Sequence, residues 1–234
     1  MEQGRLVAIV TGGSRGIGFA IAREFAINGI NLLITARNVE RLENACRELS
    51  KYGVDVIYVA CDIRDRECCK KIVKSCLDHY GRIDILVNNA GTAVRKYFHD
   101  MNFEEIDEII DTNVKGLMYL TLEVVKIMIK QRRGIIINIS SGAGKSGIPQ
   151  LSVYSASKAA VNIFTEALAR ELSRYGIRVY AVCPGGTDTE LHRKLFPEHR
   201  SEWLLKPEEV ARLVFRLVKE GGIEGYCYEI YRLV

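Results

Sequence analysis

No stretch of the 234 residues approaches the roughly 20 consecutive apolar residues that a membrane-spanning helix needs. Nor does the chain begin with the charged and then apolar pattern of a signal peptide; it passes from Met1 straight into a strand-like stretch. Both absences lead us to expect a cytoplasmic protein with no membrane partner. Charge of one sign is not in excess either. The 33 basic and 29 acidic residues are interspersed and leave a net charge of +4, which gives no reason to expect nucleic acid as a partner. Lys70, Lys71 and Lys74 come nearest to a basic cluster, and their spacing puts them on the solvated side of a helix. The 7 cysteines are odd in number and contain no C-x-x-C pair, so neither a disulfide framework nor a zinc site is expected. They read as small buried hydrophobes in a reducing compartment, and no metal site is anticipated. Linkers, repeats and low-complexity tracts are missing as well, so residues 1–234 are read as one domain.

What is present is alternation. Short runs of β-branched and aliphatic residues, near residues 6–11, 31–36, 55–60, 83–88, 134–140, 178–182 and 226–231, alternate with longer segments of helical period. Leu86 with Val87, and Ile135-Ile136-Ile137, are apolar on both faces of their strands, as central strands of a parallel sheet should be. Right-handed crossovers then favour an α/β fold: a single doubly wound parallel sheet of about seven strands, order 3-2-1-4-5-6-7, with helices on both faces. Ligands of such sheets bind beyond the carboxyl ends of the strands.

The first of those ends carries Thr11-Gly12-Gly13-Ser14-Arg15-Gly16-Ile17-Gly18. Glycines at this spacing permit a tight turn and let the backbone approach a pyrophosphate at a helix N-terminus, the pattern of a dinucleotide site. In NAD-binding units an acid at the end of the second strand accepts hydrogen bonds from the adenosine ribose. Here that strand ends Thr35-Ala36-Arg37, with no acid. Arg15 and Arg37 would suit a 2′-phosphate instead, so NADP(H) is the expected cofactor in preference to NAD(H). The competing reading leaves Arg37 solvated at a helix start. Asp62, ending the third strand, has two readings: it accepts from the adenine amine with Ile63 beside the ring, or it caps the next helix.

Tyr154 is the only tyrosine with a lysine four residues on, Lys158, and a helical pattern puts both on one face. A phenol is a poor base at neutral pH unless a nearby ammonium stabilises the phenolate. Lys158 can supply that charge. Ser141, just past a buried strand, is placed to hydrogen-bond a substrate oxygen as charge develops on it.

These motifs, in order, resemble the short-chain dehydrogenase/reductase family, and among its members most closely the reductases of the 3-oxoacyl-carrier-protein type. The likeness rests on the turn from Thr11 to Gly18, on Asn88-Asn89-Ala90-Gly91, Asn113, Ser141, Tyr154 with Lys158, and Pro184-Gly185 with Thr189, and it spans nearly the whole chain. It implies that Asn113 holds a water in a proton relay through Lys158, and that Lys158 also binds the nicotinamide ribose. Asn89, Ala90 and Gly91 would line the cofactor groove, and Pro184, Gly185, Thr187 and Thr189 would hold the carboxamide. The implied activity is reversible hydride transfer between NADP(H) and a carbonyl or alcohol carbon of a small molecule, with Tyr154 as general acid and base. The alternatives are a catalytically silent sensor or scaffold that binds NADP(H), and, less favoured, an epimerase or dehydratase.

The chain departs from that pattern in two places. A glycine-rich segment after the last strand is lacking, which puts the family's C-terminal subunit contact in doubt. The substrate loop, about residues 187–206, is short, which leads us to expect an open pocket. That pocket would lie near Ala93, Val94, Gly142, Ile148, Gln150, Gly186 and His192, a mostly apolar set that does not single out a substrate. Helices over about residues 113–130 and 152–175 carry more apolar residues than one buried stripe needs, so a homodimer or homotetramer is expected.

Overall fold

The computed structural model describes residues 4–232. Its strands are β1 (Val7–Thr11), β2 (Asn31–Ala36), β3 (Val56–Ala60), β4 (Ile85–Asn88), β5 (Gly134–Ile139), β6 (Ile177–Pro184) and β7 (Cys227–Ile230). All pair in parallel in one sheet of order β3-β2-β1-β4-β5-β6-β7, as the sequence predicts. Between them run α1 (Gly16–Ile27), α2 (Val39–Ser50), α3 (Arg66–Tyr80), α4 (Phe103–Ile110), α5 (Leu117–Gln131), α6 (Ser152–Leu172), α7 (Glu190–Leu195) and α8 (Pro207–Glu220).

Strand period 2 sends successive residues into two cores. Ala8, Val10, Leu32, Ile34, Ile85 and Val87 join the layer under α1, α2 and α8, whereas Val7, Ile9, Leu33, Leu86 and Ile136 join the layer under α3, α5 and α6. A polar chain crosses the second layer. Asn88 Nδ2 donates to Thr121 Oγ1 and to Asn138 Oδ1, both at 2.9 Å, and Asn138 Nδ2 donates to Thr165 Oγ1 at 2.8 Å. These buried amides tie β4 and β5 to α5 and α6 at the strand ends where the site lies.

β1 lies between β2 and β4, so the chain leaves β1 toward one side of the sheet and β4 toward the other. The loops after β1 and β4 therefore diverge and open a crevice above their carboxyl ends. Lys70 and Lys74 sit on the solvated face of α3, paired with Glu67 and Asp78. No helix among the described residues is long and apolar enough to cross a membrane.

Candidate active site

The crevice is a cleft of about 660 Å³ whose wall includes Gly12, Ser14, Arg15, Gly16, Ile17, Arg37, Asp62, Ile63, Asn89, Ala90, Gly91, Tyr154, Lys158 and Thr189. Gly12 and Gly16 adopt φ of +64° and +56°, the left-handed region that glycine occupies without strain. Gly12 N and Gly13 N both donate to Thr35 O, at 2.7 and 3.3 Å, and pin the turn to β2. Gly18 stands behind the turn and not in the wall of the cleft: a Cβ there would lie 2.3 Å from Gly12 O. Its absence of a side chain lets α1 approach the strand. Arg15 provides no side-chain cap for α1 and the first turn holds no acid, so the positive end of this 12-residue helix is left to an incoming anion. From the other side, Thr11 Oγ1 accepts from Asn89 N and Ala90 N, both at 2.9 Å, and Asn89 Nδ2 donates to Thr11 O at 2.9 Å. The two glycine-bearing loops are thus one hydrogen-bonded unit.

Cations cluster at the adenosine end. Arg15 and Arg37 are both there, and so is Arg41, on the first turn of α2, which sequence reading missed. A signal existed in its spacing, four residues after Arg37 on the helix that Asn38 caps by accepting from Arg41 N at 2.8 Å. Arg15 and Arg41 both pair with Glu190, the first residue of α7. Arg37 enters no ion pair among the described residues. Asp62 does not cap α3; that position belongs to Asp65, which accepts from Glu67 N at 2.8 Å. Asp62 is instead gripped by Arg64, through Nε at 3.0 Å and Nη2 at 2.6 Å, and this guanidinium holds its carboxyl below the usual range.

Tyr154 and Lys158 lie one turn apart on α6, both in the cleft. Lys158 is 5% exposed and donates from Nζ to Ile139 O at 2.9 Å; burial brings it down to about 8. Burial pushes the Tyr154 phenol up, while the Ser141 hydroxyl, within hydrogen-bonding reach, pulls it the other way. Ser141 Oγ also accepts from Ala143 N at 3.2 Å, which fixes the serine in the turn after β5. Asn113 lies in a π-helical turn between α4 and α5, residues 111–116, where the sequence pattern predicts the start of an ordinary helix. Such turns recur at functional sites because the extra residue redirects a side chain inward. The Asn113 amide makes three bonds: Oδ1 accepts from Thr92 N at 2.8 Å, and Nδ2 donates to Thr92 O at 2.9 Å and Ser157 Oγ at 3.0 Å.

Pro184, Gly185 and Thr187 stand behind the wall. Thr187 is 5% exposed, donates to Gly185 O at 3.0 Å, and bridges to Leu205. Thr189 reaches the cleft and caps α7 by accepting from His192 N at 3.2 Å. Tyr231 lies against Gly142 and Gly185, where a Cβ would meet its hydroxyl and its ring respectively, at 2.7 Å in each case. The short substrate loop is anchored by Arg95, which donates to Leu195 O at 3.0 Å and Glu198 at 2.6 Å and lies over the Phe196 ring at 4.4 Å. Ala93 and Val94 line the cleft beside it.

One further expectation fails. Cys61, after β3, and Cys68, in the first turn of α3, form a disulfide with Cα atoms 5.7 Å apart. The C-x₆-C spacing has no motif to announce it, but the turn into α3 brings the two Cα atoms within disulfide range. With this pair joined, the cysteines no longer point to a reducing compartment.

Residues 6–200 match the family model described as short chain dehydrogenase. The chain belongs to this family. Within it, the chain is 39% identical to the 3-oxoacyl-[acyl-carrier-protein] reductase FabG of Chlamydia muridarum over 87% of this chain and 86% of the relative. The reductase of the same name from Chlamydia trachomatis serovar D is 37% identical over 92% and 90%. Among solved structures, actinorhodin polyketide ketoreductase with NADPH superposes with a TM-score of 0.93, at 32% identity, covering 98% of this chain and 97% of that one. NAD⁺-bound xylitol dehydrogenase superposes at 0.89, with 26% identity over 98% and 99%. This short-chain dehydrogenase is therefore an oxidoreductase on a nicotinamide-binding fold. Structural neighbours carry both cofactors, so the choice between them rests on the adenosine end of the cleft.

Proposed function

We propose that the protein is an NADP(H)-dependent reductase of small-molecule carbonyls, working reversibly, with Tyr154 as the proton donor in reduction. The observation that carries this reading is one cleft holding the uncapped α1 N-terminus with Arg15, Arg37 and Arg41 at one end and Tyr154 with Lys158 at the other. The pyrophosphate would lie on the glycine turn, the 2′-phosphate against the arginines, and the nicotinamide ribose against Tyr154 and Lys158. When bound, the nicotinamide supplies or accepts the hydride.

The chain's own residues then handle the proton. Ser141 and Tyr154 hydrogen-bond the carbonyl oxygen, and Tyr154 Oη delivers its proton as negative charge gathers there. The Lys158 ammonium stabilises the phenolate left behind. Asn113, its amide bonded to Thr92 and Ser157, fixes the loop that lines the cofactor groove and would hold the relay water that the family resemblance implies. A 3-oxoacyl thioester is the first carbonyl to test, because two reductases 37% and 39% identical to this chain carry 3-oxoacyl reduction in their names. A silent NADP(H) sensor would have no use for Tyr154 and Lys158 in one cleft with Ser141 in hydrogen-bonding reach of the phenol.

The decisive assay follows NADPH absorbance with a panel of carbonyl substrates. The Tyr154→Phe variant should keep NADPH binding and lose turnover by about 10²-fold or more. Unchanged turnover in that variant would reject the mechanism.

Homo-oligomerisation is part of the same reading. A groove of about 830 Å³ between α5 and α6 is lined by Met118, Leu122, Val125, Ile129, Phe164 and Leu168 among others, and Leu122 is 58% exposed. Apolar area of this extent on a helix pair suits a second copy of the chain.

A further inference from the structure

Among the described residues, Glu190 is the carboxylate ion-paired with Arg15 and Arg41, and it comes from the substrate loop. Its two oxygens are divided between Arg15 Nη1 and, at 3.0 Å, Arg41 Nη1. Arg15 belongs to the glycine turn and Arg41 to the start of α2, so the carboxylate joins the two elements that would receive a 2′-phosphate. All three side chains are about half exposed, at 52%, 46% and 57%, so an anion from solvent can reach them. The far end of the same loop is anchored separately, by Arg95 on Leu195 O and Glu198.

Each guanidinium gives one nitrogen, Nη1, to Glu190, and a 2′-phosphate drawn between the same two cations would compete with the carboxylate for them. A phosphomonoester brings about −1.5 to −2 charge and three acceptor oxygens at neutral pH, where a carboxylate brings −1 and two. Planar guanidinium forks match either, and the larger charge prevails. We infer that Glu190 is an internal stand-in for the 2′-phosphate, competing with it for Arg15 and Arg41, so that binding the phosphorylated cofactor releases the leading end of the substrate loop. A cofactor without that phosphate has nothing to displace Glu190 and leaves the loop tethered. Glu190 thereby sets how strongly the enzyme prefers one cofactor, and it ties the preference to the segment over the substrate. The inference rests on the NADP(H) reading above.

The test measures NADPH and NADH dissociation constants by nucleotide fluorescence on wild type, Glu190→Gln, Glu198→Gln and Arg15→Ala/Arg41→Ala proteins. Glu190→Gln should tighten NADPH binding by roughly threefold to tenfold, in line with removing a competing surface ion pair, and should not tighten NADH. Glu198→Gln, which removes the same charge from the other anchor, should leave NADPH binding within about twofold of wild type. The inference falls if Glu190→Gln leaves NADPH affinity unchanged, tightens NADH equally, or is matched by Glu198→Gln. If the double arginine variant loses its preference for NADPH while Glu190→Gln is neutral, the cofactor reading stands and the competition alone is rejected. A wild type without NADPH preference, unaltered by the arginine changes, overturns both.

Discussion

The Lys158 ammonium sits 5.8 Å from the centre of the Tyr154 ring, one helical turn below it and almost entirely out of water. That separation lets the charge act on the phenolate through a low-dielectric region without a direct ion pair, and it makes the lysine's own ionisation part of the reaction.

Rate should therefore follow Lys158. Burial lowers it to about 8, while the phenol is shifted up, away from neutral pH. Reduction needs both groups protonated, so kcat/KM with NADPH should be flat below neutrality and fall as pH rises through about 8. A midpoint near the ordinary lysine value of 10.5 would contradict this.

Stability should move the other way. A lysine with a lowered folded value is charged against the preference of the folded state at pH 7, and wild-type stability should rise with pH between about 8 and 10.5 as the folded lysine gives up its proton first. Lys158→Met removes a penalty on the order of 3 kcal/mol and forfeits the hydrogen bond to Ile139 O, about 1 kcal/mol. Thermal melts at pH 7 should show the inactive variant melting roughly 4 °C or more above wild type, with the pH-dependent rise gone. A lower melting temperature would mean that the ammonium stabilises the fold.

Self-association should depend on the α5–α6 groove. Leu122→Glu places a charge at its exposed centre, and light scattering at micromolar protein should show a dimeric or tetrameric mass for wild type and a smaller one for the variant. A monomeric wild type would remove the basis for an assembly through this face.

Thiol counting checks the one cysteine pair. Denatured, unreduced protein should titrate 5 thiols, and reduction should expose all 7. Closing so short a loop restricts the unfolded chain by about 2 kcal/mol, so reductant or Cys68→Ser should lower the melting temperature by roughly 4–8 °C. Seven thiols before reduction would show the pair open.

The strands, the glycine turn and the Tyr154–Lys158 pair are legible in the chain because each is written in local spacing, and the strand order follows from them through the rules for right-handed crossovers. Period 2 marks a strand, four residues mark one helix face, and Gly12, Gly16 and Gly18 mark a turn that side chains would obstruct. Asn113 was half legible: its identity pointed to the site, but nothing nearby in sequence announces the π-helical turn that aims it at Thr92 and Ser157. Asp62 shows the same limit, since Arg64 two residues on competes for its carboxylate and only geometry decides that contest.

By itself, then, the sequence determined the fold class, the family and the chemical groups of the cleft, since those follow from periodicities and motifs within a few residues. Only the tertiary structure decided which groups meet: Glu190 on Arg15 and Arg41, Tyr231 over Gly142 and Gly185, Arg95 on Phe196 and Glu198. These partners are separated by tens to more than a hundred residues, and their meeting depends on how the crossovers stack strand ends side by side. No local pattern encodes a distance of that kind.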